Sequence, residues 1–126
     1  MTTDGASAGP PPKRILIVDN HGDAAESLAL LLRAMGHEAC VARNASNALQ
    51  IFCQMLPHIV LLDIAMPEMS DYELARRMRG VLGGAVKLCV LTGNDGQQDH
   101  LRSREVGLDH HFVKPVKPEI LMHLLA

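Results

Sequence analysis

The chain has 126 residues, enough for one domain with a sizeable core and too few for two. With 48% hydrophobic and 21% charged residues, a net charge of -2, no Trp and 2% aromatics, it reads as a globular protein with an aliphatic core. Scattered Lys and Arg residues and the lack of aromatic stacking platforms argue against a nucleic-acid surface. Apolar runs as short as residues 59–62 cannot cross a bilayer, and the N-terminus lacks the basic-then-apolar order of a signal peptide, so a cytoplasmic protein is expected.

Residues 1–13, MTTDGASAGPPPK, are small, polar and Pro-rich and read as a flexible tail, with the ordered domain expected over 14–126. From Arg14 onward, short apolar runs alternate with helical stripes. The runs are ILIV (15–18), EACVA (38–42), HIVLL (58–62), VKLCVL (86–91) and HHFV (110–113). They are mostly continuous, as in parallel strands covered on both faces.

Between the first two runs, Ala24, Leu28, Leu31, Leu32 and Met35 share a helical face that ends at Gly36. Ala45, Ala48, Leu49, Phe52 and Leu56 form a second stripe, stopped by Pro57. Leu74, Ala75, Met78, Val81 and Leu82 form a third, preceded by Ser70 and Glu73 at capping-box spacing. Residues 97–106 are more polar, with Leu101 and Val106 as anchors. A last helix starts near Pro118 and carries Ile120, Leu121, Leu124 and Leu125. Cys40, Cys53 and Cys89 fall inside apolar segments without CxxC spacing and read as reduced core thiols. Met35, Met55, Met78 and Met122 read as core filler.

Strands alternating with helices in this way demand right-handed crossovers and a parallel sheet, an α/β architecture. In such open sheets, function sits beyond the carboxyl ends of the strands. That rule selects Asp19 and Asn20 after the first run, Asp63 after the third, Thr92 after the fourth and Lys114 after the fifth. Singly, each has a plain structural reading: an Asp at a strand end usually caps a turn, a Thr before Gly starts one, and a Lys before Pro lies on the surface. Together they make a chemical inventory. Two carboxylates and an amide oxygen suit a small hard cation such as Mg²⁺. A hydroxyl and an ammonium suit phosphoryl oxygens, and a carboxylate can carry a covalent phosphate.

The stretches ILIVDNHGDAAESL, LLDIAMPEMSDYEL, LTG and FVKPV, in this order and spacing, resemble the receiver domain of two-component response regulators over residues 13–126. AESLALLLRAMGHE and GLDHHFVKPVKPE look most like receiver modules of hybrid sensor histidine kinases, or single-domain response regulators. The resemblance implies a (βα)5 flavodoxin-like fold, a five-stranded parallel doubly wound sheet of order 2-1-3-4-5. It implies that Asp63 is the phosphoacceptor, that Asp19 and Asn20 flank a Mg²⁺ ion also bound by Asp63 and the backbone carbonyl of Ala65, and that Thr92 is the switch hydroxyl. Lys114 matches the phosphate-contacting lysine, Pro115 the residue after its cis peptide, and His111 the aromatic switch position. On this reading, Asp19 and Asp63 about 5 Å apart repel by roughly 3 kcal/mol at an effective dielectric near 20, and a divalent cation relieves that repulsion.

The implied function is to take a phosphoryl group onto Asp63 from a histidine kinase or histidine phosphotransfer domain and to switch partner binding. The implied partners are proteins, with no direct contact to nucleic acid or membrane, and the implied state is a monomer or a weak phosphorylation-dependent dimer. Such a module catalyses only its own phosphoryl transfer and dephosphorylation.

The sequence also departs from the family's pattern. Asn20 replaces a second acid, which predicts weaker metal affinity, and Asp23 reads as a cap of the first helix. Asp71 stands where the family usually has Gly, at a backbone position Asp tolerates. His110 and His111 should point to opposite faces of a strand, which argues against a joint metal site. Two rival readings compete. A pseudo-receiver would bind partners without phosphorylation. An aspartate-based phosphohydrolase would need a proton-moving acid at position 65, where Ala65 stands. A flavin or dinucleotide carrier has no GxGxxG after the first strand.

Overall fold

The structure, a computed structural model, describes residues 12–19, 22–63, 71–92, 109–113 and 118–125. In chain order these form β1 (Arg14–Val18), α1 (Gly22–Ala34), β2 (Glu38–Ala42), α2 (Ala45–Met55), β3 (Ile59–Asp63), α3 (Asp71–Leu82), a 3-10 turn (Gly83–Ala85), β4 (Lys87–Thr92), β5 (His110–Val113) and α4 (Pro118–Leu125). The strands pair in parallel in the order β2-β1-β3-β4-β5, with registers Val18↔Ala42, Val18↔Leu62, Asp63↔Leu91 and Thr92↔Val113. The order expected from the sequence is the order observed. The helix expected over 97–106 lies outside the described residues.

The continuous apolar runs have the cause expected of them. Alternate residues of one strand face opposite sides of the sheet, and both sides are covered. Leu16, Val18, Val60, Leu62, Leu88 and Val90 pack with Ala48 and Phe52 of α2 and Leu74, Ala75 and Met78 of α3. Ile15, Ile17, Ile59, Leu61, Cys89 and Leu91 pack with Ala25, Ala29 and Leu32 of α1 and Leu121, Leu124 and Leu125 of α4. Each buried aliphatic side chain stabilises the fold by about 1.5–3 kcal/mol relative to exposure.

Helix ends follow local chemistry. α1 closes as a Schellman motif: the Gly36 amide donates to the Arg33 carbonyl at 3.0 Å and the His37 amide to the Leu32 carbonyl at 3.1 Å. Gly36 supplies the positive φ of 94° that this closure needs. Asn44 caps α2, its side-chain oxygen accepting from the Asn47 amide at 2.8 Å. Leu56 ends α2 with a φ of 48° in the left-handed region, and the buried Pro57 follows.

Several expectations require correction. Cys40 and Cys53 are exposed and only Cys89 is buried, so two of the three thiols are not core. Cys40 lies on β2, an edge strand of the sheet, at an exposed position. Met78 is core, but Met122, one step round α4 from the buried Leu121, is 60% exposed, and Met35, in the turn after α1, is 39% exposed. Leu31, Leu56, Val81 and Ile120 are likewise exposed. β3 and β4 begin and end one residue later than the apolar runs suggest, which makes Asp63 and Thr92 the last residues of their strands rather than the first after them. Asp23 is the second residue of α1, inside its first turn and not at the cap. Lys13 is already held by hydrogen bonds to His37 and Glu38. Ser70, half of the expected capping box, lies outside the described residues.

Candidate functional site at the carboxyl ends of the strands

β1 and β3 are neighbours at the centre of the sheet, but the chain leaves them in opposite directions. From β1 it runs through α1 to β2 on one side; from β3 it runs through α3 to β4 on the other. The ends of β1 and β3 are therefore the topological switch point, where a doubly wound sheet parts to leave room for a ligand.

Asp19 follows β1 directly. It is 6% exposed, and its amide donates to the Ala42 carbonyl at 2.9 Å, which extends the β1–β2 ladder one residue and fixes the backbone that carries the carboxylate. The register Val18↔Leu62 brings Asp63 level with Asp19 on the adjacent strand. Neighbouring strands run about 4.8 Å apart, so two aspartates stand side by side at the switch point. Thr92 ends β4, the strand next to β3, and pairs with Val113 at the end of β5. His111 lies within β5 opposite Val90. Asn20, Ala65, Lys114 and Pro115 lie outside the described residues; Lys114 follows Val113 directly in sequence.

A buried carboxylate beside a second aspartate is a costly arrangement unless something positive compensates it. Oxygen donors of this kind suit a small hard cation and not a soft metal. Asp19 and Asp63 thus fit a divalent ion. Among the described residues no three His, Cys, Asp or Glu side chains are grouped to hold a metal by themselves, so any such site needs donors from the segments that follow β1 and β3.

His110 and Phe112, two residues apart on β5, stack with ring centroids 5.5 Å apart and planes 10° from parallel. They share one face of the strand. These rings line a hollow of about 580 Å³ with Lys87, Ile120 and His123. Lys87 and His110 start β4 and β5, so the hollow lies away from the switch point.

The opposite end of the sheet carries polar contacts that sequence reasoning missed. Arg14 donates from Nε to the Met55 carbonyl at 3.0 Å, and from Nη2 to the Leu56 carbonyl at 3.0 Å, tying β1 to the end of α2. His37 and His58 each precede a strand, and their rings accept backbone amides of β1's entry. The Asp109 carboxylate accepts from Arg79 at 2.7 Å and from the Leu88 amide at 2.8 Å. Beside it, burial first and the Asp109 charge second push the Cys89 thiol up to about 12, which leaves it unreactive. The sequence signal for the histidines is modest but present: each follows a helix-stop residue, as Gly36-His37 and Pro57-His58.

Comparison with known proteins agrees with this geometry. The family model of the response regulator receiver domain matches residues 15–126. The chain is 33% identical over 110 residues to the DNA-binding response regulator MtrA of Mycobacterium tuberculosis, covering 87% of this chain and 47% of that protein. It is 33% identical over 112 residues to an uncharacterized 14.6 kDa protein of Leptolyngbya boryana, covering 88% of this chain and 86% of that one. A CheY-like response regulator receiver domain protein from Methanospirillum hungatei superposes with a TM-score of 0.83 at 29% identity, over 90% of each chain. The chain spans about half the length of MtrA and of the other response regulators first among its curated matches. On the match across nearly all of its ordered length, the chain belongs to the response regulator receiver domain family.

Proposed function

We propose that Asp63 accepts a phosphoryl group from a histidine kinase or histidine phosphotransfer domain, and that the chain passes the signal on by a change of protein partner. The observation that carries this reading is the register that sets the buried Asp19 beside Asp63 at the switch point. In the transfer, a carboxylate oxygen of Asp63 forms the new P–O bond while the P–N bond to the donor imidazole breaks and its electron pair returns to the ring.

Asp19, Asp63, the Asn20 amide oxygen and the Ala65 carbonyl would hold Mg²⁺. When bound, the ion neutralises charge on the transferring group. Asp19 keeps Asp63 in a field where a cation is favoured, and Asn20 supplies an oxygen without a second charge. Metal affinity should therefore fall below that of a receiver with two adjacent acids. Thr92 and Lys114 would then meet the phosphoryl oxygens, with His111 responding on β5 as the surface around the last strands changes.

On this reading the chain turns over no diffusible substrate beyond its own phosphoryl group, works in the cytoplasm, and is a monomer or a weak phosphorylation-dependent dimer. Among the described residues no helix is long and apolar enough to cross a membrane. The name of the mycobacterial relative refers to DNA binding by a protein about twice as long; we assign no nucleic-acid contact to the residues matched here.

The test is intact mass after incubation with Mg²⁺ and acetyl phosphate, beside Asp63→Asn. An adduct of one phosphoryl group is expected on the parent, absent from Asp63→Asn and suppressed by a chelator. Asn20→Asp should reach the same adduct at lower Mg²⁺. No adduct at saturating metal and donor would instead identify a pseudo-receiver that signals by binding alone, the reading that Asn20 favours.

A further inference from the structure

The amino ends of β1, β2 and β3 hold a pair of histidines in matching positions. His37 precedes β2 and His58 precedes β3, the two strands that flank β1. The Lys13 amide donates to His37 Nδ1 at 3.0 Å, and the Arg14 amide donates to His58 Nδ1 at 2.9 Å. The carbonyls of the same two residues accept in return, Lys13 from the Glu38 amide and Arg14 from the His58 amide, both at 2.9 Å. Each imidazole nitrogen therefore stands where a ladder carbonyl would stand. The chain entering the central strand is held from both sides, and each side depends on one ring.

An Nδ1 that accepts a hydrogen bond carries no proton, so both rings are neutral with the proton on Nε2. A proton arriving at Nδ1 turns the acceptor into a donor facing a donor, and the bond is lost. Histidine is the side chain whose ordinary titration falls between about pH 5 and 8. We propose that His58, across β1 from His37, forms a proton-operated latch that holds the start of β1 closed at neutral pH and releases Arg14 on acidification.

The charged groups around the pair come from every neighbouring element: Lys13 and Arg14 at β1, Arg33 of α1 bonded to the Ala39 carbonyl, Glu38 of β2, and Lys87 of β4, whose amide donates to the His58 carbonyl. Of these, Arg14 and Lys13 act on the His58 ring and disfavour its charged form. Burial first, then Arg14 and Lys13, hold the His58 ring below its ordinary value of 6.5. The sign follows: the neutral ring's contribution is complete above 6.5 and is lost as pH falls from there through the lower folded-state value. The latch is thus closed at physiological pH and opens only in acid.

The test uses the whole chain. Amide exchange of Lys13 and Arg14 is followed by NMR, corrected for intrinsic exchange, while ¹⁵N shifts of the imidazoles report the protonation of Nδ1. Protection at the Arg14 amide should fall by about tenfold or more between pH 7.5 and 5, in step with protonation of the His58 ring, while Leu16 and Val60 stay protected. The His58→Asn variant, whose side-chain oxygen accepts but does not titrate, should show flat protection there. The proposal is overturned if the parent keeps its protection after the His58 ring is charged, if that ring stays neutral until the whole domain unfolds, or if the Asn variant shows the same loss. The parent measurement decides alone if that variant does not fold.

Discussion

The two ends of the sheet use polar residues in opposite ways. At the amino ends, Lys13, Arg14, His37, His58, Arg79 and Asp109 are tied by hydrogen bonds of 2.6–3.2 Å, mostly to backbone atoms. Each bond satisfies a strand or helix end, and the result is structure. At the carboxyl ends, two aspartates are carried to adjacent strand termini, one of them buried. On the function proposed above, that arrangement serves an ion and a phosphoryl group, so one end would chiefly hold the domain together and the other would bind a ligand. Substitutions at the amino end should therefore move stability and leave phosphoryl transfer intact, and those at the carboxyl end should do the reverse.

Asp109→Ala should give the largest loss at the amino end. It leaves the Leu88 amide without its carboxylate in a strand whose residue is fully buried, and it removes one of the groups that Arg79 bonds. The ion pair is partly exposed and contributes at most about 1 kcal/mol, whereas an orphaned buried amide costs about 1–3 kcal/mol, so the amide dominates. A loss of about 2–3 kcal/mol is expected in urea unfolding, read as a lower midpoint at unchanged slope. Asp109→Asn keeps an acceptor and should recover much of it. A variant that unfolds no earlier than the parent would break the comparison.

Arg14→Gln should cost less, about 1–2 kcal/mol, because it removes charge-assisted bonds to the Met55 and Leu56 carbonyls at a partly exposed site. Arg14→Lys should recover under half of that, since an ammonium cannot fork across two carbonyls. Acetyl phosphate labelling of all these variants, measured below their unfolding midpoints, should match the parent. Slower labelling in Arg14→Gln would mean that the two ends are coupled through β1, which is only five residues long.

How much of this was legible beforehand differs by end for a physical reason. Parallel strands covered on both faces announce themselves as apolar runs, so Ile15–Val18 and Ile59–Leu62 fixed the sheet, and the residues just after them pointed to Asp19, Asp63 and Thr92. Position along the chain was enough to place these residues at the strand ends. The amino-end contacts depend on register, which joins Arg14 to His58 across 44 residues, and no local pattern encodes that. Nor does helical periodicity decide the edge of a stripe. Leu31 and Leu32 both fit one face, yet Leu32 is buried and Leu31 exposed. Cys40 reads as core in a run such as EACVA until β2 is known to be the edge of the sheet.

Asp19→Asn should have the smallest effect on stability and sharpens the comparison most. Asn keeps the size and one oxygen of Asp, so packing at this buried position survives. Losing the charge relieves repulsion from Asp63 that is bounded by roughly 3 kcal/mol at 5 Å and an effective dielectric near 20. It also removes whatever the carboxylate gained from its surroundings. The two changes oppose each other, so without metal the unfolding midpoint should move by no more than about 1 kcal/mol in either direction. With Mg²⁺ the variants should separate. The parent should gain stability as RT ln(1 + [L]/Kd) with rising metal, while Asp19→Asn, left with one carboxylate and two neutral amides near the site, should gain little at the same concentration. Equal stabilisation of both by Mg²⁺ would show that the ion binds elsewhere, and the buried aspartate would then need a structural explanation like those at the other end.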